Sequence, residues 1–189
     1  DMYTCAILDD GSVSCWGYNA NGQLGDGTTT NRHSPTSVSS SSSRDVVLLA
    51  SSNGDHTCSI LDDSSLRCWG YNGEGQLGDG TTTSSLSPKS TLFDPSKAAI
   101  YISGRLDHTC AVADDGTVLC WGINGYGGLG DGGSNNRLAP TQVSSSLNTY
   151  SIVSTGQGHT CSLLQGGTAA CWGLNSHGQL GDGFTSNTN

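Results

Sequence analysis

Cys5-Ala-Ile-Leu-Asp-Asp-Gly-Ser-Val-Ser-Cys15 is the stretch that decides the fold. Asp9-Asp10-Gly11 suits a three-residue hairpin loop, a type I turn closed by a left-handed glycine. Pairing across it sets Leu8 against Ser12, Ile7 against Val13 and Cys5 against Cys15. The two sulfurs then stand directly opposite each other, on the face that carries Ile7 and Val13. Ala6, Leu8 and Trp16 occupy the other face, so both faces are partly apolar. A hairpin buried on both sides belongs in sheets stacked face to face.

The same unit recurs. Cysteine pairs stand at Cys5/Cys15, Cys58/Cys68, Cys110/Cys120 and Cys161/Cys171, each 10 apart and repeating after 53, 52 and 51 residues. Each pair is followed by Trp-Gly (Trp16, Trp69, Trp121, Trp172), then an Asn and a Gly-rich run ending Leu-Gly-Asp-Gly. From Tyr3, His56 or His108 to Pro35, Pro88 or Pro140 is 32 residues every time. From those prolines to the next histidine it is 21, 20 and 19, so insertions fall after the proline. Length varies in surface loops and rarely in packed elements. Ser39–Asp45 is therefore expected to be an exposed loop. Two further short strands, Pro35–Val38 and Val46–Ala50, are expected to complete each unit, with Pro140–Val143 and Ser151–Ser154 as later counterparts. The fold class is all-β: four-stranded blades in a β-propeller-like array, with one hairpin disulfide per repeat. The units run 1–51, 52–103, 104–155 and 156–189, the first and last incomplete. The array is read as part of a larger chain or assembly, because it shows no capping variant at either end.

Leu, Ile, Val and Phe supply only 34 of the 189 residues, while Gly supplies 28 and the net charge is −9. That aliphatic share borders on the range of disordered chains, so something besides aliphatic burial must hold the fold. Eight cysteines in opposed pairs fit bonding in an oxidising compartment, each disulfide worth about 2–3 kcal/mol. Sixteen acidic against seven scattered basic residues disfavour nucleic acid. No apolar run approaches the roughly 20 residues of a membrane span.

The string His56-Thr-Cys58, then Cys68-Trp-Gly-Tyr-Asn72, Gly75-Gln-Leu-Gly-Asp-Gly80 and Pro88 resembles the regulator of chromosome condensation repeat. It does so four times in register along the whole chain. The resemblance implies a β-propeller, usually of seven blades. Tyr3 departs from the pattern by replacing the first histidine. Asn53 and Arg105 stand where the family places a glycine ahead of the histidine; Gly156 keeps it.

His56, His108 and His159 are read as structural, each donating from its ring to a neighbouring backbone carbonyl. Zinc is rejected: Tyr3 breaks the ligand set and no fourth ligand has regular spacing. Asp9-Asp10, Asp62-Asp63 and Asp114-Asp115 are turn residues rather than paired catalytic or calcium-binding acids. No cofactor and no catalytic residue is expected. Asn21, Glu74, Tyr126 and His177 differ at one loop position of otherwise matching copies, which makes them candidate partner-binding residues. The sites Ser34-Pro35, Ser87-Pro88 and Ala139-Pro140 are candidates for O-linked sugar, since the chain has no N-glycosylation sequon. Function is read as a non-enzymatic extracellular structural or adhesive module, acting with further copies of itself or with extracellular proteins and glycans. The alternative is a secreted protein-binding propeller, similar to the family's β-lactamase-inhibiting members. The family's nuclear nucleotide-exchange role is disfavoured by the acidity and the paired cysteines.

Overall fold

A computed structural model describes residues 2–39, 43–51, 54–106, 108–144 and 150–189. Fourteen strands make four antiparallel sheets among these residues. Sheet 1 holds β1 (Tyr3–Ile7), β2 (Val13–Gly17) and β3 (Arg32–Ser37). Sheet 2 runs β4 (Val46–Ser51), β5 (His56–Leu61), β6 (Leu66–Gly70), β7 (Ser85–Ser90). Sheet 3 repeats that order with β8 (Ala99–Arg105), β9 (His108–Ala113), β10 (Val118–Gly122) and β11 (Arg137–Gln142). Sheet 4 holds β12 (Tyr150–Thr155), β13 (His159–Leu164) and β14 (Ala169–Gly173), with a bridge from Gly173 to Thr188. The first strands β4, β8 and β12 contact one another from sheet to sheet and lie innermost. The fold is all-β and propeller-like.

Hairpin register matches the sequence reading: Cys5 faces Cys15 and Ile7 faces Val13, and the other three hairpins repeat it. Leu8 N donates to Ser12 O, and Gly11 closes the turn at φ +74°. All eight cysteines are bonded within their repeats, as Cys5–Cys15, Cys58–Cys68, Cys110–Cys120 and Cys161–Cys171.

Two expectations about the remaining strands need correction. The third strand starts at Arg32 rather than Pro35, because Arg32 pairs with Gly17 across a bulge and Thr36 with Cys15. Pro35 falls inside that bulge on the outermost strand, where its missing N–H costs no ladder bond. Pro88 and Pro140 sit in matching bulges. The strand after each loop does not complete its own unit. Val46–Ser51 pairs with β5 of the next repeat, so each sheet takes its inner strand from the repeat before. The sequence frame 1–51, 52–103, 104–155 and 156–189 is thus one strand out of phase with the sheets.

What joins the sheets is a lock seen three times. The carbonyl of Gln23 in the loop of sheet 1 accepts the Trp69 indole N–H at 3.0 Å and the Thr57 hydroxyl at 2.9 Å, both from sheet 2. Gln76 O accepts Trp121 at 2.8 Å and Thr109 at 2.9 Å. Gly128 O accepts Trp172 at 3.0 Å and Thr160 at 2.7 Å. Thr57, Thr109 and Thr160 are completely buried. The indole can come this close only because the loop offers glycine: a Cβ on Gly25, Gly78 or Gly130 would lie 2.5–2.7 Å from the next sheet's Nε1. Around each lock lies apolar contact. Cys58, Cys68, Ile60, Leu66 and Leu77 of one sheet pack on Ala99, Ile102, Ala111 and Trp121 of the next.

The disulfides of sheets 2 and 3 therefore stand inside the junctions, with Cys58, Cys68, Cys110 and Cys120 at 0% exposure. The fourth copy departs from that uniformity. Cys161 and Cys171 are bonded as expected but only half-buried, because the face that carries them in sheet 4 has no further described sheet against it. Trp69, Trp121 and Trp172 are buried as expected, but Trp16 is only half-buried, no loop among the described residues packing against it as Gln23, Gln76 and Gly128 do on the others. The repeat gives each Cys and Trp the same place in its hairpin, while its burial depends on the neighbouring sheet.

Gly78→Ala forces a methyl onto the Trp121 ring at a backbone φ of +67°. The expected loss is about 2–4 kcal/mol, overpacking and strain together. Gly125→Ala, whose Cβ meets nothing within 4 Å, should change stability by under about 0.5 kcal/mol. Urea unfolding of both variants checks the contrast.

Candidate functional site

Strand directions put the long Asn-x-x-Gly loops at one end of the sheets and the Asp-rich hairpin turns at the other. Each long loop is built around one asparagine. Asn19, 0% exposed, gives its amide N–H groups to Asp26 Oδ1, Thr28 O and Thr30 O, while its Oδ1 accepts Leu24 N at 2.9 Å. Asn72 and Asn175 repeat this set, and Asn124 most of it. A buried amide with every valence filled holds a loop as rigidly as a strand does.

The loop carboxylates are spent in the same way. Asp26 accepts Thr28 N, the Thr28 hydroxyl, Asn19 and Arg32. Burial pushes its carboxyl up, but the bonds from Thr28 and Arg32 outweigh this and hold it below the usual range. Asp131 pairs with Arg137 likewise. In the second copy Ser85 stands at the arginine position, and Lys89, four residues on, supplies the cation to Asp79. At the opposite end Asp10, Asp63 and Asp115 accept from the residue two positions on, which is turn chemistry. Lys97 then holds Asp115 down to about 2, helped by the Thr117 hydroxyl. Among the described residues no three His, Cys, Asp or Glu side chains are arranged to hold a metal.

The four candidate tip residues divide. Asn21 gives Nδ2 to Asp55 of the next sheet at 3.1 Å, and Glu74 accepts Asn136 Nδ2 at 2.5 Å, so both help to tie adjacent sheets. Tyr126 is 53% exposed and lies over Gly158, where a Cβ would approach it to 3.0 Å. His177 is exposed, its ring Nδ1 meeting Ser176 Oγ at 3.0 Å. Gln76 and Gln179 pin the tip backbone, their Oε1 atoms accepting Glu74 N and His177 N. The arrangement is a stiff face carrying unlike side chains.

Ser34 and Pro35 are exposed on β3, whereas Ser87, Pro88 and Pro140 are half-buried on β7 and β11. His56 and His108 are buried, and their rings reach across a junction: Nε2 meets Thr109 Oγ1 at 2.8 Å and Thr160 Oγ1 at 3.0 Å. His159, at the start of β13, is half-buried. Burial first, then the neighbouring His56 and His159, push His108 down to about 3. The His108 partner is a threonine of the next sheet, not the backbone carbonyl expected from sequence. Thr57, Thr109 and Thr160, with the buried asparagines, are the residues the sequence reading passed over. Their signal was present, since they recur beside His and after Trp-Gly in register.

The model of the Regulator of chromosome condensation (RCC1) repeat matches residues 10–60, 65–112 and 115–163. The Ultraviolet-B receptor UVR8 of Arabidopsis thaliana is 31% identical over 188 residues, covering 99% of this chain and 42% of that protein. The probable E3 ubiquitin-protein ligase HERC4 of Homo sapiens is 29% identical over 187 residues, 98% of this chain and 18% of that one. The chain thus spans less than half the length of these relatives. Among solved structures, human WBSCR16 superposes with a TM-score of 0.88 at 24% identity, over all of this chain and 49% of its own. Yeast RCC1 (Prp20), solved bound to Kap60, gives 0.86 at 21%, over all of this chain and 45% of its own. At those identities the structures speak for the fold. The family matches cover most of the chain in the register of its own repeat, and the chain belongs to the regulator of chromosome condensation repeat family.

Proposed function

We propose that the chain is a non-enzymatic protein-binding propeller module of an oxidising, extracellular compartment. The observation that carries this reading is the contrast between a loop skeleton repeated from sheet to sheet and the unlike tips it presents. Asn19, Asn72, Asn124 and Asn175 hold that skeleton, and the Tyr126 and His177 side chains are exposed upon it. An exposed tyrosine on a stiff support offers contact area at little entropic cost, which is what protein interfaces favour. The four disulfides support the compartment, because such bonds persist where thiols are not kept reduced.

A second reading, an extracellular structural or adhesive array, has its own support. The junction lock is the same at each of three boundaries, so the unit is suited to propagation through further repeats or copies. Exposed Ser34 beside Pro35, and Ser87 beside Pro88, are the positions proposed for O-linked sugar on either reading.

Alkylation of the secreted protein without reductant should label no cysteine; a labelled pair would remove the oxidising compartment from the account. A photo-crosslinker at position 126 or 177 should capture a protein partner, and the same group at position 97, beside the opposite rim, should not. Capture from position 97 alone would place binding on the hairpin face instead.

A further inference from the structure

Each sheet junction is crossed near its inner end by one ring-to-threonine contact. At the first, Tyr3 Oη lies 3.0 Å from Thr57 Oγ1 and donates to His56 O at 2.6 Å. At the second, His56 Nε2 meets Thr109 Oγ1; at the third, His108 Nε2 meets Thr160 Oγ1. The substitution of Tyr3 for histidine thus keeps the contact and changes its chemistry.

Proton counting fixes the third junction. Thr160 spends its only hydroxyl proton on Gly128 O at 2.7 Å, so it must accept from His108. A neutral imidazole has one N–H, and His108 uses it at Nε2. Its Nδ1 is then a bare acceptor, buried and without a partner among the described residues. Acid would place a proton there with nothing to receive it. Among the described residues, the charged and titratable groups around it offer no relief. Arg105 stands opposite on β8, His56 lies on β5 and His159 on β13. Asp55, beside His56, is turned to the preceding loop and accepts Gln23 Nε2 at 2.7 Å and Asn21 Nδ2 at 3.1 Å.

We infer that the two histidine-bridged junctions, between sheets 2 and 3 and between sheets 3 and 4, are released by acid, whereas the Tyr3-bridged junction is not. The device makes the module's integrity depend on the acidity of its compartment.

The sign is set by burial. Burial holds His56 down to about 4, against backbone hydrogen bonds with Gly54 and Leu106 that raise it; burial with the two neighbouring imidazoles holds His108 to about 3. Both lie below the ordinary value of 6.5, so the folded state refuses protons that the unfolded chain takes up. Stability is whole above about pH 6.5 and falls as the pH drops through it, levelling only near the folded values. Each such histidine multiplies the unfolding constant about tenfold per pH unit in that window.

The test is urea unfolding of the full chain at pH 7.5 to 4.5, comparing the native sequence with His108→Gln and Tyr3→His. Gln keeps a donor for Thr160 and does not titrate. His108→Gln should lower the acid slope by close to one proton, and Tyr3→His should raise it by up to one. An unchanged slope in His108→Gln overturns the inference. Should that variant fail to fold, a flat Tyr3→His response overturns it equally. Hydrogen exchange at pH 5 locates the event: β8, β9, β12 and β13 should open before β1 and β2, and the reverse order contradicts it.

Discussion

One backbone carbonyl per junction holds this molecule together. Gln23 O, Gln76 O and Gly128 O each receive two buried donors from the next sheet, an indole N–H and a threonine hydroxyl. Everything else serves that geometry. The loop must be stiff, so a buried asparagine fills its centre. It must come close, so glycine faces the indole. The tryptophan must be aimed, so it follows directly on a cysteine fixed to the opposite strand. A lost partner would leave a buried donor or acceptor unmet, which costs more than the bond itself contributes.

This explains how a chain poor in aliphatic residues sustains a core. The junctions combine a few large groups, Trp121 with Leu77 or Trp172 with Leu129, with a disulfide that fills space and ties two strands. Polar groups do the rest, buried and satisfied: Asn19, Asn72, Asn124, Asn175, Thr57, Thr109 and Thr160 all lie at or near zero exposure. Such networks specify one arrangement strongly because each member has nowhere else to bond.

How much of this was legible follows from the range of each interaction. The hairpins could be read outright, since Asp9-Asp10-Gly11 fixes the turn and the turn fixes Cys5 against Cys15. Inner-strand membership could not, because Val46–Ser51 is linked to its own repeat by sequence and to β5 only by hydrogen bonds across a loop. The strand start at Arg32 was hidden by Pro35, which argues against a strand unless a bulge absorbs it. Equal spacing also suggested equal burial, yet Cys171 and Trp16 show that burial is set by the sheet next door. For the site, the tip position was visible as a difference among copies, but not that Asn21 and Glu74 would hydrogen-bond to the next sheet while Tyr126 and His177 stay exposed. The threonines that complete each lock recur plainly. A small polar residue such as Thr109 nonetheless announces no partner 33 residues away until the sheets are stacked.

The central claim is that buried indole donors on loop carbonyls join the sheets. Exchange of the four indole N–H protons with solvent deuterium, followed by NMR under native conditions, tests it without altering a residue. Trp69, Trp121 and Trp172 should exchange about as slowly as the central strand amides, opening only with the junction. Trp16, half-buried and without such a carbonyl among the described residues, should exchange far faster. Four indoles exchanging at one rapid rate would contradict the account.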